Sequence, residues 1–382
     1  MAPSLFLLGI LPALLDVTAG ANIFAAHYSG TINSLSLTST SNGAYSLALN
    51  SSLSIGGQPS WMTWDSSSRT LYMPDETGFG SASSFAVSAA TNGRFTLLGK
   101  ATGVPLGGVA NVVYGSGYIA TAHYQTSTIS TLKLPLSSSS KTLQTLKYTM
   151  NGKGPIPSRQ DAPHPHHVFP DPTGAFLLAP DLGADLIRIY KIDSASGKLT
   201  DCPSYVEPGG TGPRHGVFWG KDVLYVGNEL ANTVHAFSVS YPSSGCLTLT
   251  RTQSLTSLPG NKTAPTGTKI GEVHVKDNFL YVSNRRDLSF APNDSIATFS
   301  LSSTGAMTFV DIISSGGTYP RTFSINKAGN LMAIGDQTTA NVVVVKRDPS
   351  TGKLGPQLAS LRVGVTGNAE NDDGLSSVLW DE

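Results

Sequence analysis

The stretch NIFAAHYSG, residues 22–30, returns in altered letters six more times: TLYMPDETG (70–78), GYIATAHYQ (117–125), AFLLAPDLG (175–183), VLYVGNELA (223–231), FLYVSNRRD (279–287) and NLMAIGDQT (330–338). Each copy is a short apolar run ending in a polar corner. The copies recur at about fifty residues, the length of chain that four short strands and their turns occupy in one propeller blade. Around each copy the order is an apolar strand, a Gly or Asn turn, the copy itself, a third apolar strand, and a Ser/Gly turn into a fourth. Seven copies predict seven four-stranded blades in an all-β chain.

The chain ends decide whether those blades close into a ring. Six copies are led by a candidate inner strand: QPSWMTWD, GGVANVVYG, HPHHVFPDP, PRHGVFWGK, GEVHVKDN and YPRTFSINK. The first copy, starting near Ala21, has no such leader, and a spare strand stands at the C-terminus in GLSSVLWDE (374–382). Pairing that strand with Ala21–Ser29 completes one sheet from both ends of the chain and leaves no unpaired edge where blade one meets blade seven. The expectation is one seven-bladed β-propeller domain over residues 21–382, each blade burying its faces against its neighbours.

Composition agrees. The 382 residues include 40 Gly and 23 Pro, and no long run has helical apolar periodicity, as many short strands and tight turns require. Only 13% of residues are charged, against roughly 25% in an average soluble protein. The formal net charge is zero, so there is no basic footprint for nucleic acid.

Residues 1–20 read as a signal peptide. Leu5–Leu15 is apolar but too short to span a bilayer, and the small residues around Val17–Ala21 suit cleavage, although no Lys or Arg precedes the apolar stretch. The expected product is a secreted protein starting near Gly20–Asn22, and no second hydrophobic span follows to embed it in a membrane. Glycosylation acceptors at Asn50, Asn261 and Asn293 fall, in the repeat register, in turns or inter-strand loops. The two cysteines, Cys202 and Cys246, lie in neighbouring blades, each after a third strand. They are either a disulfide between adjacent rims, which suits an oxidising compartment, or two unpaired, half-buried thiols.

Inner strands line the central channel, so polar side chains at their starts converge on one mouth. The candidates fall in four consecutive blades: His164, His166 and His167; Arg214 and His215; Glu272 and His274; and Arg321. Asp181, Glu229, Arg285, Arg286 and Asp336 stand at the ends of second strands. Side chains alternate along a strand, so His164 and His166 share a face and His167 takes the other; only one face can point into the channel. His166 is then either a proton carrier working near neutrality or a buried imidazole bonded to a neighbouring blade's backbone. Arg214 and Glu229, in one blade, either offer a guanidinium to a substrate carboxylate or phosphate or form a structural tie. Three arginines from three blades (Arg214, Arg285, Arg321) repel one another without an anion, which favours an anion site.

A metal is the rival reading, since His166, His215, His274, Glu229 and Glu272 are all donors. No spacing enforces a ligand set and the arginines oppose a cation, so no metal is expected. A serine nucleophile has no G-x-S-x-G elbow or helix to carry it, and GFGSAS (78–83) lacks the Lys and helix of a phosphate-binding loop.

HPHHVFPDPTGAFLLAPDLGADLIRIYKID, GTGPRHGVFW, LYVGNELANTVHAFSV, GEVHVKDNFLYVSNR and TYPRTFSINKAGNLMAIGDQ, in this order, resemble the seven-bladed propeller lactonase family. That family includes propeller-type bacterial 6-phosphogluconolactonases and fungal carboxy-cis,cis-muconate cyclase. The resemblance covers roughly residues 21–380 and is strongest over His164–Gln337. It implies a cofactor-free site in which His166 of HPHH, Arg214 of GPRH, Glu229 of GNEL and Arg285 of SNRR are the catalytic groups. In cyclase-like chemistry Arg214 and Arg285 anchor substrate carboxylates while His166 or Glu229 delivers a proton; a hydrolytic lactonase uses the same site with water as nucleophile. His164, His215, His274 and Arg321 are the accompanying substrate-binding candidates. The chain departs from the repeat in RVGVTGNAENDDGLSSVLW (362–380), which lacks the Gly-rich, Pro-containing lead-in of other inner strands and carries the run Glu370, Asn371, Asp372, Asp373.

Two functions remain open from sequence. One is a secreted enzyme that closes or opens a small carboxylated lactone. The other is a secreted, non-catalytic propeller glycoprotein that uses its surface for binding or adhesion. The retained charged channel favours the enzyme; the signal peptide and sequons favour the binder.

Overall fold

The computed structural model describes residues 21–40, 42–90, 93–243 and 245–382, so the signal peptide expected over residues 1–20 lies outside the described residues. Seven antiparallel sheets of four strands each surround one axis. Blade 5 is representative, running outward through Pro213–Trp219, Val223–Asn228, Thr233–Ser240 and Thr248–Thr256. Blade 1 is built from both ends of the chain. Its inner strand Leu375–Trp380 pairs with Ala21–His27 through Ile23↔Trp380, Ala25↔Val378 and His27↔Leu375. The ring therefore closes as the missing inner strand required.

Burial explains the composition. Second strands such as Leu331–Asp336 and third strands such as Asn341–Arg347 are buried almost throughout, because each blade packs on both faces. Ile23, Ala25 and Leu35 of blade 1, for example, meet Ala333, Val342 and Val344 of blade 7. Outer strands such as Tyr45–Ser54 alternate between exposed and half-buried positions. So much buried surface leaves few places for charge, which accounts for its scarcity. Buried tyrosine hydroxyls tie blades together: Tyr225 donates to the Gly305 carbonyl (2.6 Å) and Tyr281 to that of Gly352 (2.7 Å). Gly352 sits in a turn at φ +70°, where a Cβ would collide with the Phe279 ring, so the turn admits only glycine.

Cys202, in the outer strand of blade 4, is disulfide-bonded to Cys246, which precedes the outer strand of blade 5, with Cα atoms 5.6 Å apart. The free-thiol reading is excluded. One sequon is placed differently from expectation: Asn50 lies within the outer strand Tyr45–Ser54, at a bulge where Ser34 pairs Ser51 and Leu35 pairs Leu49. The serine-rich stretch had read as a loop, but an edge strand facing solvent tolerates it. Asn261 is exposed in a short 3-10 turn, and Asn293 is half-buried in a loop with its amide donated to Ser314. Likewise GFGSAS is only partly loop, since a strand starts at Ser81. Among the described residues no helix is long and apolar enough to cross a membrane.

The inner strands break strict alternation where they meet the mouth. An extra residue is inserted between Pro213 and His215, between Pro320 and Thr322, between Gly108 and Ala110, and between Ile270 and Val273. Such a bulge lets two successive side chains point to one side. Arg214 and Arg321 are the extra residues and turn up toward the carboxylates of Glu229 and Glu76 at the mouth.

Candidate active site

One position of the repeat builds the mouth. In six blades the residue just past the second strand donates its backbone N–H to the residue preceding the inner strand. These pairs are Tyr28 to Gly374, Glu76 to Gln58, Tyr124 to Gly107, Leu182 to His164, Glu229 to Gly212 and Gln337 to Tyr319, at 2.7 to 3.0 Å. In blade 6 the equivalent residue is Arg285, paired with Lys269. Five of these seven (Glu76, Tyr124, Glu229, Arg285 and Gln337) line a cavity of about 370 Å³ with Arg159, His166, Tyr319 and Arg321. That volume suits a small metabolite.

Glu229 is the hub of the charge network. Its Oε1 lies 2.6 Å from Arg159 Nη1, and its Oε2 lies 2.9 Å from Arg214 Nε and 2.7 Å from Arg285 Nη2. Burial alone would raise its carboxyl, but Arg159, Arg285 and Arg214 outweigh that and hold it well below the usual carboxylate range. The repulsion expected among the arginines is therefore offset partly from within, by a carboxylate of the chain itself. Arg214 lies behind the cavity wall, with Nη1 also donated to the Gly271 carbonyl; Arg285 Nη2 reaches the Ile270 carbonyl at 2.8 Å. Arg321 is less engaged. Among the described residues its ion pair is with Glu76 Oε2, at 3.9 Å, and its guanidinium stands 5.5 Å over the Tyr28 ring.

His166 lines the cavity and is buried, and its Nδ1 has no hydrogen-bond partner among the described residues. Burial first, then the positive charge of Arg214 and the neighbouring His215, depresses its pKa well below the ordinary value. That favours the neutral imidazole at physiological pH, the form able to accept a proton. The alternation expected for the histidines does not hold, because the regular strand starts only at Phe169. His164 turns away, stacking on Tyr124 at 4.1 Å with Nδ1 on the Tyr124 carbonyl and Nε2 near Asp161. His167 enters the channel beneath His166, stacked on His215 at 4.4 Å, with Trp61 edge-on to both. His215 is also bonded to Glu272 at 2.9 Å. These rings pack against one another next to His166, which lines the cavity.

Of the sequence candidates, His166, Glu229, Arg285 and Arg321 thus share one cavity and Arg214 reaches it through Glu229. His164, His215 and Glu272 sit behind or below it. His274 is further off, two-fifths exposed, 3.9 Å from Glu272 and against Phe323. Asp181 and Asp336 stand one residue short of the ring position; Asp181 accepts the His164 N–H and pairs with Arg188. Among the described residues no group of three or more His, Cys, Asp or Glu side chains is arranged to hold a metal.

Sequence reasoning missed Glu76, Tyr124 and Gln337, although the repeat register that gave Glu229 places them beside it. Arg159 carried no signal, because it lies in the connection between blades 3 and 4, outside the repeat. The aberrant run before the last strand proves to be part of the mouth: Glu370 pairs with Lys269 and with Arg286 (3.3 Å), and Gln337 donates to the Asn371 and Asp373 carbonyls.

This ring of second-strand ends around a buried imidazole and clustered arginines belongs to a seven-bladed propeller of the lactonase type. The chain is a member of that family: the family described as Lactonase, 7-bladed beta-propeller matches residues 22–369. Over 307 residues it is 34% identical to a probable 6-phosphogluconolactonase of Arthroderma benhamiae, covering 79% of this chain and 77% of that one. It is 33% identical over 205 residues to the 6-phosphogluconolactonase of Bacillus subtilis, covering 53% and 55%. Among solved structures, the periplasmic gluconolactonase PpgL of Pseudomonas aeruginosa superposes with a TM-score of 0.78 at 23% identity, over 95% of this chain and 99% of that one.

Proposed function

We propose that the protein is a lactone hydrolase acting on a small sugar lactone that carries an anionic group. The observation that carries this reading is a buried His166, its Nδ1 unpaired among the described residues, in a cavity walled by Arg159, Arg285 and Arg321. His166 takes a proton from water as the water oxygen bonds to the lactone carbonyl carbon, and a guanidinium receives the charge that develops on the carbonyl oxygen. Collapse breaks the ring C–O bond and yields a hydroxy acid, whose carboxylate the arginines also suit. Arg321, with its ion pair only at 3.9 Å, is the guanidinium most free to meet the substrate's phosphate or carboxylate. The names of the Arthroderma and Bacillus relatives support 6-phosphoglucono-lactone as the first substrate to try.

The test is turnover by purified protein of 6-phosphoglucono-δ-lactone, glucono-δ-lactone and 3-carboxy-cis,cis-muconate. Hydrolysis favouring the phosphorylated lactone is expected. Conversion of 3-carboxymuconate alone would replace hydrolysis with cyclisation, and turnover of none would leave the binding-module reading. Secretion belongs to the same proposal. It is supported by the apolar Leu5–Leu15 stretch, the Cys202–Cys246 disulfide and the exposed sequons at Asn50 and Asn261. N-terminal sequencing of extracellular protein should find a start near Gly20–Asn22; intact Met1 on a cytoplasmic protein would contradict it.

A further inference from the structure

Glu76 and Glu229 occupy the same repeat position three blades apart, and both line the cavity, but their surroundings are opposite. Both Glu229 oxygens lie within ion-pair distance of guanidiniums. Glu76 is also buried, yet its Oε2 accepts the Tyr28 hydroxyl at 2.7 Å and, among the described residues, approaches a guanidinium, that of Arg321, only to 3.9 Å. Asp75 beside it is occupied elsewhere, by the N–H groups of Gln58 and Thr77 and the Ser81 hydroxyl. In hydrolysis as proposed above the departing ring oxygen is an alkoxide that must take up a proton, either back from the His166 imidazolium or from a second carrier in the cavity.

We propose, resting on that lactone-hydrolase reading, that Glu76 is the proton donor to the leaving ring oxygen and that Tyr28 is the residue that positions it. As the tetrahedral intermediate collapses, the electron pair of the breaking C–O bond goes to the ring oxygen, which takes the Glu76 proton. The carboxylic acid formed at the other end loses its own proton, which restores the Glu76 carboxyl. His166 releases the water proton to solvent, so one lactone and one water give one hydroxy acid anion and one proton. The charges around Glu76 agree with a carboxyl that is partly protonated at neutrality. Burial raises it, Asp372 of the last connection raises it further, and Arg321, Tyr28 and Arg214 lower it, leaving it at about 7. Two carboxyls with separated protonation states in one cavity are the arrangement that acid and base roles require.

The experiment compares two leaving groups. For the sugar lactone, whose leaving group is a basic alkoxide, Glu76→Gln should lower kcat about 100-fold or more. For dihydrocoumarin, whose phenolate leaves without much help, the loss should be less than about tenfold. His166→Asn should depress both. Wild-type kcat on the sugar lactone should fall as pH rises through about 7, and this limb should vanish in Glu76→Gln. Tyr28→Phe removes a hydrogen bond that favours the carboxylate, so it should move the limb to higher pH while the protein stays folded. Wild-type turnover with equal losses of Glu76→Gln on both substrates, or with an unchanged limb in Glu76→Gln or Tyr28→Phe, would overturn this inference and leave the lactonase reading standing. Absence of wild-type turnover on every lactone would overturn both.

Discussion

Glu229→Gln isolates the electrostatic core of the site, because it keeps the side-chain volume while removing the one charge that three guanidiniums share. Arg214 and Arg285 are almost wholly buried, and Arg159 is about a quarter exposed and so counts least. Breaking a buried ion pair by neutralising one partner costs about 3–5 kcal/mol, since the other charge stays desolvated and unpaired. With an unfolding entropy of about 2.1 cal/mol/K per residue, a ring of this size should lose roughly 1.3 °C of Tm per kcal/mol, so the variant should melt roughly 5 °C lower. The pH dependence follows from the depressed Glu229 carboxyl. Its stabilisation is present above the ordinary glutamate value and is lost as pH falls through the folded one, so wild type and variant converge only in acid. An added anion should also stand in for the lost carboxylate: phosphate should raise the Tm of Glu229→Gln more than that of wild type. Calorimetry at pH 7 with and without phosphate reads both effects. A variant within about 1 °C of wild type, with the same phosphate response, would refute the view that Glu229 holds this cluster together.

Three further outcomes are expected. His166→Asn should reduce lactone turnover by about 10²–10⁴-fold with little change in KM, as loss of a general base does. Because buried His166 and His215 and half-buried His167 all have depressed pKa values, each binds a proton on unfolding once the pH is below about 6.5. Stability should then fall by up to about 4 kcal/mol per pH unit below that point, which urea melts at pH 7.5, 6 and 5 would measure. Replacing Cys202 and Cys246 by Ala opens a loop with a sequence separation of 44, and the loss should approach about 4 kcal/mol by the loop-entropy relation. A denaturant midpoint unchanged in that double variant would contradict the disulfide's role.

The blades were legible because a propeller writes its architecture into a period, and the closing strand because one copy lacked a leader that a C-terminal segment could supply. The site was only half legible. Arg285 and Glu229 could be read because charge is rare in this chain and both sit at one repeat position. Glu76 was hidden by its neighbours, since the acidic pair in TLYMPDETG looks like a solvated turn although Asp75 takes the backbone-capping role and frees Glu76 for the cavity. The division between His166 and His167 depended on irregular backbone before Phe169, and the upward turn of Arg214 and Arg321 on bulges, neither of which a period-2 pattern contains. Arg159 could be found only in three dimensions, where an inter-blade connection folds back over Glu229. The same is true of Glu370 and Asp372, whose departure from the repeat placed them at the cavity mouth.

A crystal structure of the protein with 6-phosphogluconate, the product of the proposed reaction, tests the account most directly. The acid should lie in the cavity with its carboxylate at hydrogen-bonding distance from His166 and from a guanidinium of the Arg159, Arg285 and Arg321 wall. An acid seated on the outer blades, or a cavity left empty at saturating concentration, would contradict it.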